Sequence, residues 1–233
     1  MPASPQTIYI IGAQSTGKST LVDALEARFR QETCSSLPSP AVIREVARAV
    51  LRDHRFTAQD IRDSPARALE LQRLILAAQA DAEHKAECSL ASDEPIPRWL
   101  ISDRSAIDPI VYAWLYVGQD AAKMLMESTE WRGMRHRMAQ SLVVVCEAGV
   151  DWLTDDGVRL MPNGKEEWIK THEVFCHVLK EAGLRYVVLP CNLGRTEERL
   201  AFVLRECTAS QCVVEKTPSQ IPGLSPIPSL SSP

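Results

Sequence analysis

A short apolar run at residues 8–11 leads directly into a glycine-bearing segment whose residue types and spacing match the phosphate-binding P-loop. Glycines let such a loop curl until successive backbone N–H groups face a phosphate chain, and the following helix adds the positive end of its dipole. In this pattern Lys18 contacts the outer phosphates and Ser19 holds Mg²⁺. The predicted nucleotide-binding residues are Gly12, Ala13, Gln14, Ser15, Thr16, Gly17, Lys18, Ser19 and Thr20. The chain is therefore predicted to use a nucleoside triphosphate, ATP or GTP.

A second candidate group is Asp103, which directly follows the apolar run 99–102. P-loop proteins place at this position the carboxylate that orients Mg²⁺ or its water ligands. Arg104 comes next, and its planar fork of donors can stabilise phosphoryl oxygens during transfer. An Asp-Arg pair is also typical of a surface turn, but the upstream P-loop favours the catalytic interpretation.

The residues around Asp103 discriminate between reaction types. An ATPase that hydrolyses its nucleotide commonly has a glutamate after the strand aspartate, and here that position is Arg104. The sequence also has no Asn-Lys-x-Asp guanine-binding motif and no Asp-x-x-Gly switch. The pattern therefore favours transfer of the γ-phosphoryl group to an acceptor in a second pocket from which water is excluded.

Charged residues after the second predicted strand are candidates for binding the acceptor. Arg44, Glu45 and Arg48 stand at the carboxyl end of that strand, where open parallel sheets bind ligands. Glu45 can accept a proton from an acceptor hydroxyl, and Arg44 or Arg48 can hold the acceptor's polar edge. A solvated first helical turn would show similar mixed charges. The aromatic residues Tyr112, Trp114 and Tyr116 are typical of helix packing, and of these Tyr112 is kept as a candidate for acceptor contact.

A lid is predicted at residues 152–159, after the fourth strand. This segment combines a glycine hinge with Arg159, which can swing over phosphates on closure, and Asp156 is assigned to the acceptor. The same residues also suit a type I turn that uses Asp and Gly. His172 and His177 are not assigned to a metal, because residues five apart do not share a helix face as i, i+4 ligands do.

Short apolar runs alternate with long stretches of helical periodicity, which predicts an α/β fold. The expected architecture is a P-loop three-layer sandwich with a five-stranded, mainly parallel sheet. Thr57 with Asp60, and Ser64 before Pro65, mark two successive helix starts in a helical region outside the sheet. The predicted strands cover residues 7–11, 41–44, 99–102, 142–146 and 186–189.

Composition defines the domain organisation and the environment. Residues 1–6 are assigned to an extension, 7–208 to the P-loop domain, and 209–233 to a Pro- and Ser-rich tail predicted to be disordered. A formal charge of -4 and a pI near 5.8 give no attraction to nucleic acid or anionic membranes. Seven cysteines without a C-x-x-C pair are typical of reduced thiols. With no secretion signal and no apolar membrane span, a cytoplasmic protein is expected.

The motifs taken together resemble the AAA-type/NadR-like P-loop kinase family. The matching segments are residues 12–20, 44–48, 101–109 and 155–159, and the resemblance covers 7–207. That family includes the nicotinamide riboside kinase domains and lies near the deoxynucleoside and nucleotide kinases. The resemblance implies a central parallel sheet, ATP with Mg²⁺, and phosphorylation of a nucleoside-like hydroxyl. It further implies Glu45 as the base, Asp103 as the Mg²⁺ partner, and Asp108 among the acceptor-binding residues.

Two functions follow from these patterns. The leading hypothesis is an ATP-dependent kinase that phosphorylates a small hydroxyl-bearing metabolite, with nicotinamide riboside or another nucleoside as the acceptor. No adenylyltransferase domain such as bifunctional NadR proteins carry is found, so the kinase step alone is expected. The alternative is an adaptor protein gated by GTP or ATP, because some animal relatives resemble phosphoinositide-binding trafficking proteins.

Overall fold

The computed structural model describes residues 7–31, 39–88, 99–149 and 164–214. Its strands are β1 (Ile8–Gly12), β2 (Ala41–Ile43), β3 (Leu100–Asp103), β4 (Leu142–Cys146) and β5 (Val187–Leu189). The helices of these segments are α1 (Lys18–Gln31), α2 (Ala47–Asp53), α3 (Ala58–Asp63), α4 (Pro65–Cys88), α5 (Ile107–Tyr116), α6 (Gln119–Met126), α7 (Thr129–Ala139), α8 (Lys165–Glu181) and α9 (Thr196–Val214).

The five strands form one parallel sheet in the order β2-β3-β1-β4-β5. Each lies within one residue of its predicted position, which confirms the predicted α/β fold. β1 extends to Gly12, which pairs with Cys146 of β4. β3 includes Asp103, which lies opposite Ile10 of β1. The start of the P-loop and Asp103 therefore meet at the carboxyl end of adjacent strands.

Helices cover both faces of the sheet. Because side chains alternate between the two faces of a strand, each face presents apolar residues that the helices bury. Tyr9 and Ile11 of β1 are buried with apolar residues of α4, α5, α7 and α8. Ile8 and Ile10 are buried on the other face with α1 and Val203 of α9. The strands have continuous apolar sequences because both faces are buried, and the resulting arrangement has three layers.

The helical region outside the sheet consists of α2, α3 and the start of α4. A capping box is formed at Thr57, whose hydroxyl accepts from the Asp60 N–H while the Asp60 carboxylate accepts from the Thr57 N–H. α4 begins at Pro65, as predicted. An apolar cluster holds the three helices together, and its buried members are Val50, Phe56, Ile61, Ala68, Leu71 and Ile75.

A buried polar network attaches α4 and α7 to the sheet. Glu83 is fully buried and accepts a 2.8 Å hydrogen bond from the hydroxyl of Tyr9, and it also pairs with Arg137. Gln79 Nε2 lies 3.0 Å from both Glu83 Oε1 and Ser102 Oγ. Because the Glu83 charge is hydrogen-bonded and paired, the network can stay in the interior while it fixes the position of α4.

The last helix extends further than the sequence predicts. α9 continues to Val214, whereas the tail was predicted to begin at 209, and residues 215–233 lie outside the described part of the chain. Helices α6 and α7 were not placed by the sequence analysis. No helix in the described segments has the length and apolar character needed to cross a lipid bilayer.

Candidate active site

The P-loop approaches β4 so closely that its first position requires glycine. Gly12 has φ +129°, and a Cβ at this position would be 2.6 Å from the carbonyl oxygen of Cys146. Gly17 also has a positive φ, of 75°. Ser15, between them, has φ 55°, in a left-handed region that residues with a side chain rarely adopt. The backbone of the loop therefore curls tightly between β1 and α1, as its glycine spacing predicts.

The ammonium group of Lys18 lies inside this curl. Its Nζ donates a 2.5 Å hydrogen bond to the carbonyl oxygen of Ala13 and lies 3.3 Å from Thr16 Oγ1. Burial, together with the nearby charge of Arg104, lowers the pKa of Lys18 to about 8. A bound triphosphate would oppose both effects because its negative charge favours the protonated amine.

Ser19 and Asp103 form a hydroxyl–carboxylate pair of the kind that P-loop proteins use for Mg²⁺. Ser19 Oγ donates to Asp103 Oδ2 at 2.5 Å. Asp103 Oδ1 is buried and has no hydrogen-bond partner among the described residues. A buried carboxylate oxygen without a partner is energetically costly, and water bound to a cation would satisfy it. The oxygen donors of Ser19 and Asp103 therefore fit Mg²⁺, which prefers such ligands.

Arg104 is buried between two carboxylates. Its Nε donates to Glu45 Oε1 at 2.8 Å and its Nη1 to Asp108 Oδ1 at 3.0 Å. Asp108 Oδ2 also accepts from the backbone N–H of Ser105 at 2.9 Å. Burial raises the pKa of Asp108, although Arg104 acts in the opposite direction. Arg104, which the sequence predicts to contact phosphoryl oxygens, donates here to Glu45 and Asp108.

The two arginines assigned to the acceptor have different partners. Arg48 Nε donates to Glu45 Oε2 at 3.0 Å, so both carboxylate oxygens of Glu45 accept from arginines. Arg44 instead pairs with Asp23 and Glu26 of α1 and is half exposed. Arg48 therefore belongs to the cluster around Glu45, and Arg44 attaches the end of β2 to α1.

A cavity lies beside the P-loop, and three of the predicted acceptor residues, Glu45, Asp108 and Tyr112, line it. It is bounded by the charged cluster on one part of its wall and by apolar residues of the helical region elsewhere. Its lining residues are Gln14, Glu45, Ala47, Leu51, Phe56, Ala58, Ile61, Leu71, Gln72, Ile75, Arg104, Asp108, Pro109, Tyr112 and Tyr116. We call it the acceptor cavity. Tyr112, predicted to contact the acceptor, is part of this wall.

Gln14 connects the P-loop to the acceptor cavity. Its Oε1 accepts a 2.7 Å hydrogen bond from the hydroxyl of Tyr112 on α5. Its backbone carbonyl accepts from the indole Nε1 of Trp168 on α8 at 2.9 Å. The sequence predicts Gln14 only as part of the nucleotide loop, and no sequence pattern indicates its contact with Trp168.

A further P-loop contact that sequence reasoning missed comes from α9. Arg199 is 4% exposed, and its Nη2 donates to the carbonyl oxygen of Thr16 at 2.8 Å. A second cavity adjoins this contact, and its lining residues are Gly17, Thr20, Leu21, Gly194, Thr196 and Arg199. The sequence carries no signal for this contact, because Arg199 is a single arginine in a helix and lies 183 positions from Thr16.

The lid predicted from the sequence belongs to a part of the chain that the structure does not describe. Residues 152–159, including Asp156 and Arg159, lie outside the described part of the chain. His172 Nε2 lies 3.7 Å from the thiol of Cys176, on the same helix. Within the described segments no group of three or more His, Cys, Asp or Glu residues is arranged to hold a metal ion.

Comparisons with known proteins agree with this architecture. A family model described as an AAA domain matches residues 7–199. No curated protein matches the chain. A solved structure of NadR protein in complex with NR has a TM-score of 0.61 and 24% identity, covering 95% of this chain and 54% of that chain. A structure of NadR protein in complex with NAD and AMP-PNP has a TM-score of 0.56 and 22% identity, covering 95% and 52%.

This chain spans about half the length of the two NadR structures, and at this identity the likeness is one of fold. The resemblance proposed from the motifs is confirmed at that level. Since the family model covers most of the chain, the protein belongs to the AAA domain family and has the P-loop α/β fold that is found in NadR.

Proposed function

We propose that the protein transfers the γ-phosphoryl group of ATP, with Mg²⁺, to a hydroxyl group of a small metabolite, and that this acceptor is a nucleoside such as nicotinamide riboside. One observation carries the proposal: Gln14 belongs to the P-loop and also lines the acceptor cavity. Phosphoryl transfer depends on donor and acceptor being held side by side. The position of Gln14 supports such an arrangement.

The donor side is assigned to the P-loop and the end of β3. Backbone N–H groups of the loop and Lys18 would hold the triphosphate, and Ser19 and Asp103 would hold Mg²⁺. When bound, Mg²⁺ neutralises charge on the phosphate oxygens. From the sequence we assign Arg159 to a lid over the phosphates and Asp156 to the acceptor.

The acceptor side is assigned to the cluster around Glu45. A Glu45 oxygen takes the proton from the acceptor hydroxyl as the hydroxyl oxygen bonds to the γ-phosphorus and the bond between that phosphorus and the oxygen of ADP breaks. Arg104 and Arg48 orient the carboxylate. Asp108 orients Arg104 in turn.

Two further facts support a nucleoside acceptor. The acceptor cavity combines charged groups, which suit hydroxyls, with aromatic and aliphatic walls, which suit a planar ring. In addition, the structural neighbour with the higher TM-score was solved with NR. The choice of nicotinamide riboside within the nucleosides depends on this neighbour and on the motif resemblance.

The proposal is tested by incubating the purified chain with Mg-ATP and a panel of nucleosides while ADP is measured. We expect at least one nucleoside to raise ADP formation well above the rate without acceptor, and mass spectrometry to detect the phosphorylated nucleoside. Tight nucleotide binding without acceptor-dependent ADP formation would instead support the nucleotide-gated adaptor and overturn the kinase proposal.

A further inference from the structure

A buried carboxamide in the wall of the acceptor cavity has an oxygen without a partner. Gln72 lies on α4 and is 3% exposed. Its Oε1 accepts no hydrogen bond from any residue in the described segments. The other amide in the same wall, that of Gln14, has its oxygen satisfied by Tyr112. Gln72 therefore combines a place in the cavity wall with a buried oxygen that lacks a partner.

Stability does not explain this glutamine. Burying a polar group without a hydrogen bond costs about 1–3 kcal/mol, and an apolar side chain would avoid that cost. Gln79, two turns further along the same helix, also has an Oε1 without a partner in the described segments, but it does not line the cavity. Its amide nitrogen donates to Glu83 and Ser102 and so anchors α4 to the sheet. A buried polar atom without a partner requires an explanation, and for one in a cavity wall a ligand or a bound water can complete it.

The surroundings of Gln72 define what such a ligand would be. Leu71 and Ile75, its neighbours on α4, line the cavity together with Phe56 and Ile61 of the helical region. The charged residues Glu45, Arg104 and Asp108 also line the cavity, but they follow β2 and β3. A matching ligand has a hydroxyl for the charged cluster and a mostly apolar ring with a polar donor for Gln72.

We infer that Gln72 selects the acceptor by taking a hydrogen bond from an N–H group on the base of a nucleoside. The base is of the class that has an exocyclic amine or carboxamide. Its ring packs against the apolar wall, and a sugar hydroxyl meets Glu45. This inference deepens the proposed phosphoryl transfer and rests on it for the identity of the site.

Calorimetric binding of two matched nucleoside pairs tests the inference. The pairs are nicotinamide riboside with nicotinic acid riboside, and adenosine with purine riboside; only the first member of each has the exocyclic donor. We expect the wild type to bind a donor-bearing member at least about tenfold more tightly than its counterpart. Gln72→Leu should weaken binding of that member about tenfold to a hundredfold and bring the ratio within the pair close to one.

The unfolding temperature separates selection from a structural role. Gln72→Leu should leave the unfolding temperature of the ligand-free protein unchanged or raise it, because it removes an unsatisfied buried oxygen. Gln79→Leu is the matched control, because Gln79 is also buried on α4 but does not line the cavity. This variant should lower the unfolding temperature while preserving the affinity ratio within each nucleoside pair.

Three results would overturn the inference: equal binding within both pairs, an unchanged preference in Gln72→Leu, or no binding of any of the four nucleosides. The kinase proposal is judged separately by ADP formation. Discrimination within a pair without ADP formation would support the role of Gln72 and contradict phosphoryl transfer. ADP formation with an acceptor that lacks a base would do the opposite.

Discussion

Ser19 Oγ and Asp103 Oδ2 are 2.5 Å apart although 84 residues separate them in the sequence. The contact joins the first turn of α1 to the last residue of β3, because β1 and β3 are neighbours in the sheet. The second Asp103 oxygen is buried and has no partner in the described part of the chain. We expect Mg²⁺ and its water ligands to use this pair.

Replacing Asp103 by Asn should remove the metal dependence of nucleotide binding. The amide loses the charge that attracts Mg²⁺ but keeps the size of the side chain. We expect the affinity for ATP measured in EDTA to change little, the additional affinity given by Mg²⁺ to disappear, and acceptor-dependent turnover to fall at least about a hundredfold. Titrations of ATP with and without Mg²⁺ measure this, with the exposed residue Asp120→Asn as control. An unchanged magnesium effect would contradict the assignment.

Lys18 should make nucleotide affinity dependent on pH. Its pKa in the folded protein is about 8, below its ordinary value of 10.5, because burial disfavours the ammonium form. Above pH 8 the free protein loses this proton, whereas a bound triphosphate would favour the protonated amine. The affinity for Mg-ATP should therefore fall above pH 8, by at most about tenfold per pH unit.

Lys18→Met should bind Mg-ATP at least about a hundredfold more weakly and lose this pH dependence. The same variant should be more stable than the wild type at pH 7. Between pH 8 and 10.5 the unfolded chain holds more protons on Lys18 than the folded chain, so the wild type gains stability with rising pH. The advantage of the variant should thus shrink toward pH 10. The exposed Lys170→Met serves as the reference variant. If the affinity of Lys18→Met for Mg-ATP falls with pH in parallel with that of the wild type, Lys18 does not have this role.

Alanine substitutions at two glycines distinguish the free-energy cost of backbone strain from that of a steric collision. Gly12 and Gly118 both have φ +129°, but a Cβ on Gly118 would meet nothing within 4 Å. Gly118→Ala should cost about 1–2 kcal/mol of unfolding free energy from the strained backbone alone. Gly12→Ala should cost about 2 kcal/mol more and abolish nucleotide binding, because the collision with Cys146 displaces the loop. Denaturant titrations of both variants measure the difference, and equal costs would contradict the predicted collision.

Glu45→Gln should separate chemistry from nucleotide binding. The amide keeps the shape of the side chain but cannot serve as a base. We expect kcat to fall about 10²- to 10⁴-fold while the affinity for Mg-ATP stays within about twofold. Glu26→Gln is a suitable control because Glu26 lies on α1, pairs with Arg44 and does not line the acceptor cavity. A normal kcat in Glu45→Gln would exclude Glu45 as the base.

Local sequence patterns were sufficient to predict the strands, the P-loop and the capping box at Thr57. Each depends on residues that are close in the sequence, such as the apolar run before Gly12. The cluster around Glu45 was foreseen only as a set of charges. Mixed charges at a helix start do not reveal that Arg104 turns toward Glu45 and Asp108, or that Arg44 turns toward α1.

The contacts that sequence reasoning missed connect distant parts of the chain. Trp168 donates to Gln14 across 154 residues, and Arg199 donates to Thr16 across 183. Both residues lie in amphipathic helices. On such a helix, a residue that contacts the P-loop repeats with the same spacing as the residues that pack in the core, so the sequence does not distinguish the two. Gln72 was not recognised either, because only the folded chain shows that the oxygen of its amide has no partner.

Gln14 links the P-loop to the wall of the acceptor cavity. Its backbone belongs to the loop that surrounds the ammonium group of Lys18, and its side chain is bonded to Tyr112 in the wall of the neighbouring cavity. Any ligand that moves Tyr112 therefore also acts on the loop, and a ligand of the loop acts on Tyr112. Thermodynamic linkage requires such influence to be equal in both directions. Occupancy of one pocket should thus change the dissociation constant of the other by a common factor, whichever ligand arrives first.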